Sequence, residues 1–303
     1  MIETITQLFR TCYPGVVRSE NSVRRSLSHE ENNILTRFDG DTLVGAAVYY
    51  EDRILLLCVH PDSRGRGIGS DLLAQCEDAI RAAGYSSVFL SAGKKYLTPG
   101  APIEFPGFEG NRAFFEKRGY VHTWGECECV DMMLTMAELD DLGVHIGDTI
   151  PGVSKKQMLD PDDPCNRFTY RFAVPADMEK TTDCVAEAEE HFVKYYRNPD
   201  LYKGEGRDRV LIAENGEGLI CGALLVTAGG EAPGLGSVGC TSTRASFGGR
   251  GIATNMVKAG TMYLKEQGMT NGYLGYTYTD IIPMYARAGY KVSMKYFMGE
   301  KKL

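Results

Sequence analysis

Arg64-Gly65-Arg66-Gly67-Ile68-Gly69-Ser70 stands between an apolar run, Ile54 to Val59, and a stretch of helical period that begins at Ile68. The seven residues read as a strand-to-helix turn. Glycines lack the Cβ that keeps an anion from the backbone, and the free N–H groups of a helix start carry about half a positive charge. Such a turn can cradle a pyrophosphate without any basic groove. It lacks the GxxxxGK[ST] spacing of a P-loop, and it is not a GxGxxG followed by an acidic residue, so nucleotide folds are disfavoured.

Downstream, Ile68, Leu72, Leu73, Cys76, Ala79, Ile80 and Ala83 share one face of a helix that Gly84 ends. Upstream, Ile34–Phe38 and Leu43–Tyr49 flank Asp39-Gly40-Asp41 and predict a hairpin. The same order returns later: apolar runs around Asn215-Gly216, a run from Val238 to Thr243, the turn Gly248-Gly249-Arg250-Gly251-Ile252-Ala253-Thr254, and an amphipathic helix closed by Gly268. An offset of 184 residues relates the two helices. Each is followed by a β-rich run (Ser86–Leu90, Tyr273–Thr277) and by a short helix ending FFEKRGY at Tyr120 or MYARAGY at Tyr290. The recurrence predicts an internal duplication. Its expected layout is an N-terminal domain over 1–136, a linker rich in Asp, Gly and Pro over 137–166, and a C-terminal domain over 167–303. A strand from Phe168 to Val174 opens the second copy and has no counterpart near Met1.

With 303 residues and 43% apolar content the chain can bury two cores. A net charge of −7 speaks against nucleic acid or an anionic membrane as partner, and no apolar run is long enough to span a bilayer. A cytoplasmic protein is expected; the oligomeric state is left open. The 9 cysteines form no CxxC pair and no zinc spacing, so the expected metal content is none. Cys127 and Cys129 are expected to share a strand face as reduced structural thiols.

The longer string LLCVHPDSRGRGIGSDLL, residues 56–73, resembles the acetyl-CoA motif of the GCN5-related N-acetyltransferase (GNAT) superfamily, Arg or Gln, two residues, Gly, one residue, then Gly or Ala. Arg64, Gly67 and Gly69 match it. The family's later signature, an aromatic residue four before a Gly-aromatic pair, is similar to Phe115 before Gly119-Tyr120 and Tyr285 before Gly289-Tyr290. In the second turn the leading position is Gly248. The resemblance implies two α/β acyl-CoA N-acyltransferase domains, each a mixed, mostly antiparallel sheet flanked by helices, with acetyl-CoA as cofactor. It further implies that Val59 lies on a strand that splays to admit the pantetheine arm. The cofactor contacts it assigns are Val59, the turn residues Arg64, Gly65, Arg66, Gly67, Ile68, Gly69 and Ser70, then Asn111, and in the second half Gly248, Gly249, Gly251, Ala253 and Thr254. Asn111 is alternatively a helix N-cap.

The implied activity is transfer of an acetyl or other short acyl group to a primary amine of a small molecule or peptide, by direct attack on the thioester. That chemistry needs a base, a polarised carbonyl and an acid for the thiolate. The resemblance assigns the acid to Tyr285, whose other reading is a core aromatic. Phe115 holds that place in the first half and has no proton to give. For the base there is only a pool: Glu51, Asp52, Glu126, Glu128, Glu187, His191 and Asp280. His60 is expected to be structural. The loop GKKYLTPGAPIEFPGFEG, residues 93–110, exceeds usual connection lengths, and Tyr96, Phe105 and Phe108 are its candidate pocket residues. Two rival readings remain, a non-catalytic acyl-CoA-binding module and a chain in which one half is a scaffold for the other.

Overall fold

The computed structural model describes residues 1–91, 93, 97–125 and 127–303. The chain divides into two compact units, residues 1–131 with 276–280 and 292–303, and residues 132–275 with 281–291.

The first unit opens on two helices, α1 (Ile2–Cys12) and α2 (Glu20–Leu27), ahead of the expected hairpin. Ile5, Leu8, Phe9 and Cys12 recur at helical spacing and are buried, while the Ser19 side chain accepts from the Ser22 N–H to start α2. The hairpin follows as β1 (Asn33–Asp39) and β2 (Thr42–Tyr50), antiparallel, with Asp39 opposite Thr42. Then come β3 (Arg53–Val59), α3 (Ile68–Ala82), β4 (Ser87–Leu90), β5 (Ala101–Ile103), α4 (Asn111–Glu116) and β6 (Val121–His122). The alternation of β2 sends Ala46 and Val48 to the α1 side with Ile5 and Phe9, and Ala47 to the α3 side with Leu72, Cys76 and Ile80. Helices therefore cover both faces of this sheet.

The second unit takes the end of β7 (Cys129–Thr135), then β8 (Thr149–Pro151), β9 (Arg167–Phe172), α5 (Met178–Glu189), α6 (Val193–Tyr196), β10 (Asp208–Asn215), β11 (Ile220–Ala228) and β12 (Leu235–Thr243). After these come α7 (Ile252–Glu266), most of β13 (Asn271–Tyr278) and α8 (Ile282–Ala286). Its strands run in the order β7-β13-β12-β11-β10-β9-β8. The expected leading strand is β9. The segment expected to be irregular contains β8, which pairs antiparallel with the open edge of β9 through Thr149 opposite Thr169. Cys127 precedes β7 rather than sharing it with Cys129.

After β14 (Lys291–Phe297), the last strand, β15 (Gly299–Lys302), lies in the first unit between β4 and β6, pairing antiparallel with both. Conversely, β7, from the first half of the sequence, lies beside β13 in the second. Each unit thus completes its sheet with a strand from the other half of the chain.

One linker residue gives a pH-dependent prediction. His145 has Nε2 3.0 Å from Asp141 Oδ1 and Nδ1 3.4 Å from Glu266 Oε1. Burial opposes its charge, yet the hydrogen bonds to Asp141 and Glu266 outweigh it and hold the imidazole pKa above the ordinary 6.5. A folded pKa above the unfolded one means the stabilisation is complete below about pH 6.5 and is lost as pH rises through the folded value. Wild type should exceed His145→Gln in melting temperature at pH 5.5, with the gap closing above neutrality. A gap independent of pH would refute this.

Candidate functional site

Both glycine turns adopt one backbone path. Gly65 and Gly67 have φ of +75° and +86°, and Gly249 and Gly251 have +75° and +82°. Gly67 and Gly251 are the left-handed N-caps of α3 and α7, each 15 residues long and 184 residues apart. A residue with a Cβ would strain there by about 1–2 kcal/mol. The Asp71 N–H bonds to the Gly67 carbonyl, so the first N–H groups of α3 have no partner within the helix and face outward as donors.

The strand before the first turn splays. Among the described residues β3 pairs with β4 only at Arg53–Phe89 and Ile54–Leu90, whereas its pairing with β2 continues to Val59. The His60 N–H donates to the Val44 carbonyl on β2 at 2.8 Å. Antiparallel alternation then turns the amide groups of Leu57 and Val59 toward the gap. Two side chains take the exposed carbonyls: Tyr13 Oη donates to Leu57 O at 3.1 Å, and Arg64 Nε to Val59 O at 3.2 Å. Burial pushes the Tyr13 phenol pKa up, so the group keeps its proton.

Turn and gap open into one cavity of about 570 Å³. Its wall holds every expected turn residue except Arg66, together with Val59, Asn111, Phe108 and Phe115. The Arg66 guanidinium instead pairs with Asp39 at 2.9 Å, on the hairpin turn. Asn111 is the first residue of α4 and its Nδ2 donates to Pro102 O at 2.8 Å; Gly110, not Asn111, is the N-cap. Arg64 also donates from Nη1 to Gly107 O at 3.3 Å, bridging strand and loop. Phe105 packs on the core rather than the cavity wall. Tyr96 lies outside the described residues.

Among the wall residues not singled out in the sequence are Arg118, Cys12, Tyr13 and Cys58. Arg118 donates to Ser70 Oγ at 2.6 Å and lies 3.8 Å over the Phe114 ring, bringing a cation to the start of α3. Its signal was its place four residues after Phe114, one helical turn away. Cys12, Tyr13 and Cys58 come from α1 and β3 and meet only through tertiary packing.

The second turn is built alike but covered. The Val153 N–H donates to Arg250 O at 3.1 Å, and Val153 O lies 3.8 Å from where a Gly251 Cβ would stand. Arg250 Nη1 donates to Asn166 Oδ1 at 2.8 Å and the Gly152 N–H to Asn166 O at 2.6 Å, tying that segment down. β12 splays from β13 as β3 does from β4, pairing only at Leu235 and Gly236. There Tyr196 Oη donates to Cys240 O at 2.6 Å, and the buried Tyr285 hydroxyl lies 3.5 Å from Thr241 Oγ1. Burial raises the Tyr285 pKa.

The described members of the base pool do not line the first cavity. Glu51 occupies a turn with φ +50°, Asp52 pairs with Arg53, Glu128 with Lys295, Glu187 with Arg244 and His191 with Glu189. Asp280 is exposed, and Glu126 lies outside the described residues. His60 caps a short 3-10 turn, its Nδ1 accepting from the Asp62 N–H.

Residues 30–122 match the family model of an acetyltransferase (GNAT) domain. The whole chain superposes on a GCN5-related N-acetyltransferase from Sphaerobacter thermophilus (TM-score 0.65, 20% identity, 99% of this chain and 91% of that one). It also superposes on a tandem GNAT protein from the clavulanic acid biosynthesis pathway (TM-score 0.61, 17% identity, 99% and 94%). A third match is the GCN5-related glucosamine N-acetyltransferase region of a fungal multi-domain β-N-acetylglucosaminidase (TM-score 0.71, 16% identity), where this chain spans 36% of the other's length. No curated protein matches the sequence. With a GNAT domain matched at residues 30–122 and two glycine turns of one geometry, this chain has the fold of tandem GNAT proteins along its length.

Proposed function

We propose that the first unit binds acetyl-CoA, or a similar short acyl-CoA, and passes the acyl group to a primary amine of a small molecule or peptide. The cavity that joins the glycine turn to the splayed strand carries this reading. Its residues fit the cofactor. The positions where Gly65 and Gly67 would bear a Cβ are open, leaving room for a phosphate against the α3 N–H groups. Arg118 adds positive charge beside them, and the Leu57 and Val59 N–H groups supply donors along the gap for an extended arm. Bound acyl-CoA brings an activated thioester; the chain contributes N–H donors for the acyl carbonyl and shelter from water.

In this reading the second unit is a scaffold. Its turn lacks the leading Arg and meets a backbone carbonyl, that of Val153, which repels a phosphate. Phe115 gives the first unit no acid at the usual place, but a thiolate with a pKa of about 8.5 is a fair leaving group unaided, and the Tyr13 phenol lines the same cavity. Tyr285→Phe should therefore leave turnover within about twofold of wild type while keeping one cofactor site per chain. A fall in kcat of tenfold or more would return the acid role to Tyr285 and the chemistry to the second unit.

The net negative charge favours a cationic acceptor. Amino sugars head the panel, since the similar fungal region is named for glucosamine, followed by amino-acid conjugates. Titration calorimetry with acetyl-CoA should give one site per chain, and thiol release over the panel should identify turnover. Absence of any acyl-CoA binding would sink the proposal. Binding without release on any amine would favour a non-catalytic module.

A further inference from the structure

Of the 9 cysteines, Cys12 and Cys58 are the two that line the cavity. Cys12 is the last residue of α1, and Cys58 lies on β3 between the two residues whose amides face the gap. Both are shielded from bulk water and belong to one cluster of packed side chains. Their chain neighbours meet directly, Tyr13 Oη donating to Leu57 O at 3.1 Å, and the Arg64 guanidinium lines the same cavity. The transfer chemistry uses neither sulfur. The hydrogen bond to Cys58 and the charge of Arg64 hold the Cys12 thiol below its ordinary value against burial, while Cys58 is pushed up. The charge of Arg64 favours a thiolate in this pair.

We propose that Cys12 and Cys58 form a reversible dithiol–disulfide couple in the cavity wall, with a small hydroperoxide as the oxidant. The Cys12 sulfur attacks one peroxide oxygen, the O–O bond breaks, and the departing hydroxide takes a proton to leave as water, giving a sulfenic acid on Cys12. The Cys58 sulfur then attacks the Cys12 sulfur. The S–O bond breaks, and the second hydroxide leaves as water with the Cys58 proton. Two thiols and one peroxide yield one disulfide and two waters. Hydrogen peroxide is small enough to enter a cavity of this volume, whereas Cys76, Cys129 and Cys184 are sealed in packed cores.

The test treats the full-length protein with hydrogen peroxide, quenches it, and counts free thiols with iodoacetamide under denaturing conditions. Wild type should lose two hydrogens and two alkylatable thiols, yield a Cys12–Cys58 linked peptide, and recover both thiols in dithiothreitol. Cys58→Ser should stop at a dimedone-trappable sulfenic acid on Cys12. Should that variant fail to fold, the wild-type peptide map still decides. Full alkylation of both cysteines after peroxide, or a linkage through other cysteines, overturns the couple. A second arm rests on the cavity being the cofactor site: desulfo-coenzyme A, which has no thiol, at 100 times its Kd leaves about 1% of cavities free and should slow oxidation roughly a hundredfold. Linkage at an unchanged rate would uphold the couple and overturn the cofactor reading. Calorimetric binding of desulfo-coenzyme A without any linkage would do the reverse.

Discussion

Gly67→Glu is expected to abolish acyl-CoA binding. A Cβ at this position meets nothing within 4 Å, so the side chain enters the space assigned to the pyrophosphate. Two like charges about 4 Å apart at an effective dielectric near 20 repel by about 4 kcal/mol, roughly a thousandfold in Kd. The positive φ adds about 1–2 kcal/mol of strain to the folded state but does not itself touch affinity. Calorimetry on Gly67→Glu and Gly251→Glu in parallel separates cavity from fold. Both carry the same strain at the same helix start, yet only the first should lose the site. Loss of binding in Gly251→Glu with retention in Gly67→Glu would move the cofactor to the second unit.

Deletion of residues 299–303 is expected to cost the first unit its fold, and cofactor binding with it. β15 supplies both inner edges of the gap between β4 and β6, with Lys301 opposite Val88 and Gly299 opposite His122. Lys301 Nζ also lies 2.5 Å from Glu77 Oε2, and Glu77 is buried on α3 where the Tyr120 hydroxyl donates to its other oxygen at 2.9 Å. Stripping a partner from a buried carboxylate costs about 3–5 kcal/mol, and lost ladder bonds add to it. That rivals the whole stability of an ordinary domain, about 5–15 kcal/mol. Circular dichroism melts and titration with acetyl-CoA check the outcome. A truncated chain that binds with wild-type affinity would show β15 to be dispensable.

The features legible in the sequence are those set by a few neighbouring residues. The hairpin follows from Asp39-Gly40-Asp41 between alternating runs, and both helix starts follow from glycines that must take positive φ. The duplication shows because a fixed offset carries these signals twice. α1 was equally readable from Ile5, Leu8, Phe9 and Cys12, but no glycine or proline marks its start. Partner choice is another matter. Alternation makes residues 299–302 a strand whether they pair at home or with β4 and β6, since register and neighbour depend on contacts hundreds of residues apart in sequence. The same distance hides the meeting of Cys12 with Cys58 and of Arg118 with Ser70. Arg66 looked like a phosphate ligand because it sits in the turn, yet the left-handed glycines on either side turn it outward to Asp39. The segment over the second turn was invisible for a simpler reason: main-chain bonds such as that from Val153 to Arg250 carry no side-chain signature.

The placement of β15 also has a consequence for biosynthesis. β6 is complete once residue 122 has been translated, but the strand that seats between it and β4 begins only at Gly299. At about 5–20 residues per second the ribosome needs roughly ten seconds or more to deliver it. Through that interval β4 and β6 present unpaired edges, the kind of surface that invites association with other nascent chains. The first unit, though made first, cannot close first. Its maturation depends on synthesis passing Lys302, and a ribosome stalled before that point would leave it open.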